Sequence, residues 1–151
     1  MSDAYDALKL ENQICFPLYL CAKEIVNRYT PYLKELDLTY TQYVVMMYLW
    51  ERGESNLRTL GRALLLDSGT LTPLLKKLEQ KGYVFRRRSS EDERSLIVTL
   101  TSQGDALKTR ALKIPEQMRK CLDLDPADAA QLYALVYKTL GILVRGKGEG
   151  A

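Results

Sequence analysis

Apolar positions recur with helical spacing over much of this chain, most clearly between Asp67 and Arg94, DSGTLTPLLKKLEQKGYVFRRRSSEDER. Leu71, Leu74, Leu75 and Leu78 fall at i, i+3, i+4 and i+7, which gives one apolar face to a helix from Ser68 to Gln80. The other face carries Thr70, Thr72, Lys76 and Lys77, which suit phosphates and base edges. Gly82 stops the helix, as a residue free to take positive φ commonly does. Pro73 lies inside it, so the pattern predicts a distorted or later start. Tyr83 to Arg88 and Ser95 to Leu100 then alternate as two strands, joined by the charged turn Ser89 to Arg94. A helix followed by a basic hairpin is what a duplex reader needs.

The flanking segments are helical too. Asp6 to Tyr29 reads as one long helix with Leu8, Ile14, Leu18, Ile25 and Val26 as its apolar positions. Pro17 predicts a kink or two shorter helices, and Pro31 an end, with a short turn of helix from Tyr32 to Leu36. Thr39 and Gln42 match a capping box for a helix from Tyr40 to Arg52, whose VVMMYLW run is apolar nearly all round and so buried. Gly53 ends it. Leu57 to Leu64, capped by Ser55 or Asn56, supports the helix after the Leu65-Leu66-Asp67 turn. Thr101 caps a helix to about Met118 with a bend at Pro115. Asp125-Pro126 opens another that runs to about Val144. The expected order is α-α-α-α-β-β-α-α: mainly α with a small β-wing, a winged helix-turn-helix between terminal helices.

Composition narrows the chemistry. With 151 residues and 46% apolar content the chain is expected to form one structural domain overall. Residues 37–100 are the expected DNA-binding region, 1–36 and 101–144 a helical dimerisation region, and 145–151 a flexible tail. No apolar run approaches the ~18 residues of a membrane span. The N-terminus, MSDAYDALKLENQ, is polar rather than a signal peptide, so a cytoplasmic location is expected. With no histidine, imidazole-based triads and metal sites are excluded, and Cys15, Cys21 and Cys121 lack zinc-site spacing. No metal, no cofactor and no conventional enzyme are implied.

Net charge is only +3, but residues 58 to 94 carry nine Lys/Arg against five acids, while the remainder is close to neutral. A field concentrated on one block steers a polyanion such as double-stranded DNA. Long apolar helices at both ends need more surface than one winged helix offers. Packed across a two-fold axis they would set two reading helices about 34 Å apart, so a homodimer on a pseudo-palindrome is expected.

Three stretches, LENQICFPLY at 10–19, LDLTYTQYVVMMYLWE at 36–51, and LDSGTLTPLLKKLEQKG with RRRSSEDERS, resemble the MarR family of winged-helix regulators. The cysteine of ENQ-x-C-F points to its organic hydroperoxide resistance regulator branch. The resemblance implies a repressor that loses DNA when an organic hydroperoxide oxidises Cys15. It places Tyr19, Tyr29 and Tyr40 as donors to the sulfur. It assigns Asp67, Ser68, Thr70, Thr72 and Lys76 to the recognition helix, and Asp92 and Arg94 to the wing's minor-groove element. Lys77, Arg86 and Arg88 add basic contacts. Two-cysteine members carry a resolving cysteine near Cys121. An intersubunit Cys15–Cys121 disulfide is therefore expected, with a mixed disulfide or over-oxidation as alternatives.

From the residues alone, a thiolate is the nucleophile toward peroxide, and an ordinary thiol with pKa ~8.5 is mostly protonated at neutral pH. Tyr19 lies one helical turn from Cys15, and Tyr40 would reach in from the next helix, from either subunit. Cys21 reads as core. Six residues from Cys15, ~9 Å by helical rise, it is a poor disulfide partner unless Pro17 folds the chain. Two departures from the family pattern stand out: Thr41 where proline is usual, and Pro17, which would free the Gln13 carbonyl. The competing reading is a regulator released by a small aromatic ligand, with Cys15 chemically idle.

Overall fold

The structure, a computed structural model, describes residues 5–91 and 95–145. Two short 3₁₀ turns, Asp6–Leu8 and Leu10–Asn12, precede the helix α1 (Cys15–Lys34). There follow α2 (Tyr40–Arg52), β1 (Glu54–Asn56), α3 (Leu57–Leu64), α4 (Ser68–Gln80), β2 (Val84–Arg88), β3 (Leu96–Leu100), α5 (Ser102–Ala111), α6 (Lys113–Leu122) and α7 (Pro126–Arg145). The chain separates into two compact units, Met1–Ile114 and Pro115–Ala151. The fold is a winged helix-turn-helix, mainly α with a small antiparallel sheet.

The first unit is built around α2. Its Tyr43, Val45, Met46 and Leu49 are buried with Leu60 of α3, Leu71, Leu75 and Leu78 of α4, and Val84 and Val98 of the sheet. Thr39 and Gln42 form the expected capping box. Gly61 closes the turn between α3 and α4: a Cβ there would lie 2.7 Å from the Leu66 carbonyl oxygen. Leu65 takes a left-handed φ of 54° at the same corner.

Several local expectations are corrected. α1 begins at Cys15 rather than at Asp6, because the residues before it form 3₁₀ turns with exposed Leu8, Leu10 and Ile14. Pro17 is the third helical residue, in the first turn, where its absent N–H breaks nothing. The Gln13 carbonyl is not freed, since the Phe16 N–H donates to it at 3.3 Å. Pro31 does not end α1. It lies inside the helix, and both it and Asn27, whose carbonyl loses its partner, are exposed to water. Likewise α4 starts at Ser68 despite Pro73.

The sheet has three strands, in the order β1-β3-β2, where two were expected. Glu54-Ser55-Asn56 has no strand pattern of its own, but β3 pairs with it as well as with β2, with Ser55 opposite Val98. The break expected near Pro115 falls at Leu112, three residues earlier, which leaves Pro115 in the first turn of α6.

The second unit contains the rest of α6 and all of α7. The Asp125 carboxylate accepts from the backbone of Ala127 (2.8 Å) and Asp128 (2.9 Å), the cap expected before Pro126. No residue of α7 is buried, although Leu132, Leu135, Val136, Leu140 and Ile142 lie on it.

Among the described residues no helix is long and apolar enough to cross a membrane. None of them form a group of three or more His, Cys, Asp or Glu able to hold a metal ion.

Candidate nucleic-acid interface and thiol site

The recognition helix α4 is seated by its leucines and leaves Ser68, Thr70, Thr72, Lys76 and Lys77 exposed. Asp67 is its N-cap. The Asp67 carboxylate accepts from the Thr70 N–H at 2.8 Å and from the Thr70 hydroxyl at 3.0 Å. These bonds hold its carboxyl below the usual carboxylate range. Asp67 and Thr70 therefore fix the start of the reading helix before either meets a ligand.

In the wing, β2 pairs with β3 from Val84 opposite Leu100 to Arg88 opposite Leu96. Arg88 is exposed at its far end. Arg86 is half-buried and engaged with Glu79 of α4: its Nη2 lies 2.6 Å from the Glu79 carboxylate. That guanidinium braces the wing against the helix. Arg87 donates to Glu54 at 3.4 Å. Asp92 and Arg94, the expected minor-groove element, lie outside the described residues.

All three cysteines are free and exposed. Cys15 is the first residue of α1, and Tyr19 is exposed one turn further on. The expectation that Cys21 is a core residue is corrected by its exposure on α1. Because α1 is continuous, Cys21 stays about 9 Å along the axis from Cys15, beyond disulfide reach. Cys121 is on α6, in the second unit.

Tyr29 and Tyr40 meet with tilted rings, centroids 4.9 Å apart and planes at 57°, and Tyr43 lies 5.9 Å from Tyr29. Burial, and then the neighbouring Tyr40 phenol, push the Tyr29 hydroxyl upward, so it keeps its proton and remains a donor. Tyr29 follows Cys15 on the same helix by roughly 21 Å of rise. The chain thus keeps Tyr19 one helical turn from Cys15 and the Tyr29–Tyr40 pair well away from it. The sequence carried no sign of the Glu79–Arg86 fork, whose partners sit on different elements.

An N-capped reading helix packed on a short support helix, with a charged hairpin braced against it, defines a winged helix-turn-helix DNA-binding protein. The family described as transcriptional regulator SarA/Rot matches residues 27–111. The chain is 42% identical to the organic hydroperoxide resistance transcriptional regulator of Bacillus subtilis (strain 168) over 143 residues, 95% of this chain and 97% of that one. It is 48% identical to the HTH-type transcriptional regulator SarZ of Staphylococcus saprophyticus over 123 residues, 82% of this chain and 84% of the relative. Reduced AbfR bound to DNA has a similar structure, with a TM-score of 0.75 at 35% identity over 94% of this chain and 99% of that one. AbfR, from Staphylococcus epidermidis, is also known overoxidised on DNA and in a disulfide form. The chain belongs to the MarR family of winged-helix transcriptional regulators, in the organic hydroperoxide resistance regulator branch. It is a DNA-binding regulator and not an enzyme.

Proposed function

We propose that the chain is a homodimeric repressor that holds a pseudo-palindromic operator and releases it when an organic hydroperoxide oxidises Cys15. One observation carries the reading: an exposed thiol heads a 20-residue helix in a chain 42% identical to a regulator named for organic hydroperoxide resistance. On the DNA side, Ser68, Thr70, Thr72, Lys76 and Lys77 enter the major groove, and Arg88, Asp92 and Arg94 serve the wing. Asp67 and Arg86 contribute by fixing the helix start and the wing angle.

A second copy of the chain covers the apolar residues that α1 and α7 leave exposed, Phe16, Leu18, Leu132 and Leu135 among them. That packing puts the two reading helices about one duplex turn apart. Since the Tyr29–Tyr40 pair lies far from its own thiol, we assign it to the Cys15 of the partner subunit. Tyr19 completes the donor set from the thiol's own helix. Phenols on an otherwise apolar site favour an alkyl peroxide over hydrogen peroxide.

The Cys15 thiolate attacks the outer peroxide oxygen. An S–O bond forms, the O–O bond breaks, and the leaving alkoxide takes a proton to become the alcohol. The resulting sulfenic acid is attacked by the Cys121 thiolate of the partner subunit. An S–S bond forms and hydroxide leaves as water, so two thiols have given two electrons to one peroxide. The new bond then turns the reading heads away from one-turn spacing.

Non-reducing electrophoresis after one equivalent of cumene hydroperoxide tests the pairing. A dimer-sized band in the wild type that is lost in both Cys15→Ser and Cys121→Ser supports it. Full DNA release by Cys121→Ser moves the switch to a mixed disulfide or an over-oxidised Cys15. Release by a salicylate-like compound, equal in wild type and Cys15→Ser, would replace the redox reading with ligand sensing.

A further inference from the structure

Resting on that redox reading, we propose that Lys81 and Tyr83 are positioning residues that carry a movement of the thiol helix α1 to the recognition helix α4. The two helices are not consecutive, since α2, β1 and α3 intervene. Yet the end of one grips the end of the other.

The corner after α1 is stiff. The N–H groups of Leu36 and Leu38 both donate to the Leu33 carbonyl at 3.0 Å, Asp37 is left-handed with φ 52°, and Leu33, Leu36 and Leu38 are buried. The Thr39–Gln42 capping box then starts α2. The end of α4 is equally defined. Gly82, with φ 75°, donates to the Glu79 carbonyl at 2.9 Å, and Tyr83 to the Leu78 carbonyl at 3.0 Å, a Schellman closure.

Between these two corners run the side chains of Lys81 and Tyr83. The Tyr83 hydroxyl donates to the Leu36 carbonyl at 3.2 Å in a buried bond. The Lys81 ammonium donates to the Asp37 carbonyl and to Gln42 Oε1 (3.3 Å), with the Asp37 carboxylate 3.3 Å away. Carbonyls near the end of a helix, which lack partners within it, thus receive their donors from the end of α4. Arg110 and Lys113 also hold Glu35, but neither joins it to α4.

This arrangement separates holding from moving. The leucines of α4 fix its static position against α2 and α3 without help from Lys81. A tilt of α1 imposed at Cys15, roughly 28 Å away by helical rise, reaches α4 directly through the two donors. Without them it must pass through the side-chain packing of α2, which touches both helices, and is absorbed there.

The test uses full-length wild type, Lys81→Met, Tyr83→Phe, the double variant and the conservative Lys81→Arg. DNA affinity is measured by anisotropy before and after one equivalent of cumene hydroperoxide, with Cys15 oxidation verified by mass. The reduced double variant is expected to bind within about threefold of wild type, while its oxidised-to-reduced Kd ratio falls at least about fivefold, the low end of an allosteric coupling. Lys81→Arg restores the part of that ratio lost in Lys81→Met. An unchanged ratio, or equal weakening of both redox states with a lower Tm, overturns the proposal and leaves the redox reading intact. No release by fully oxidised wild type overturns both.

Discussion

Arg86 places its Nη2 and Nε 2.6 and 2.9 Å from one oxygen of Glu79 and its backbone N–H 3.2 Å from the other. One carboxylate on the recognition helix thereby sets both the course of β2 and the orientation of its arginine. Charge-assisted forks of this kind are strong and directional. Glu79→Gln keeps the shape and removes the charge. It should weaken operator binding about fivefold while shifting Tm little, whereas Arg86→Lys, which lacks the fork, should behave like it. Affinity equal to wild type in both variants would deny the brace a role in DNA binding.

The same pair has a pH signature. The Arg86 hydrogen bonds hold the Glu79 carboxyl below the usual glutamate range. A carboxyl lower in the folded state than in the unfolded chain adds stability above the unfolded value, about 4.3, and loses it as pH falls through the folded one. Denaturant midpoints should therefore fall on acidification below about pH 5, and Glu79→Gln should fall less steeply. Glu35, Asp67 and Glu116 are lowered too, so the variant removes only part of the slope.

At the other end of α4, Asp67→Ala removes the acceptor for the Thr70 N–H and hydroxyl. It should lower Tm by roughly 3 °C and weaken DNA binding, with Asp67→Asn close to wild type. Gly61→Ala pushes a methyl group against the Leu66 carbonyl oxygen, where there is only 2.7 Å of room. Because that oxygen belongs to the turn between support and reading helices, affinity should suffer more than helical content measured by circular dichroism.

Replacing Tyr29 by Phe keeps the ring against Tyr40 and removes one hydroxyl. The proposed donor role gives a slower reaction of Cys15 with cumene hydroperoxide, by about tenfold for the loss of one hydrogen bond to a charged sulfur. A merely structural ring leaves that rate constant where it was. In heterodimers, a wild-type Cys15 facing a Tyr29→Phe partner should react slowly, while a Cys15 on the variant chain facing a wild-type partner should react normally.

Much of this site could be read along the chain because its signals are local. Thr39 with Gln42, Asp67 before the leucine face, and Gly82 after it each mark a helix end within a few residues of the atoms they bind. What escaped depended on distant partners. Glu54-Ser55-Asn56 is a strand only because β3 offers an open edge. Proline signals mislead for a related reason. Pro17 falls in a first turn and Pro31 on an exposed face, so neither breaks α1. The grip of Lys81 on Asp37 and Gln42 joins residues some forty positions apart, and no spacing rule reaches that far.

The central claim is that oxidation of Cys15 releases DNA. The direct measurement is operator affinity of wild type and Cys15→Ser before and after stoichiometric cumene hydroperoxide. Wild type should let go, and Cys15→Ser should stay bound. Equal release by both proteins, or release by neither, would contradict it.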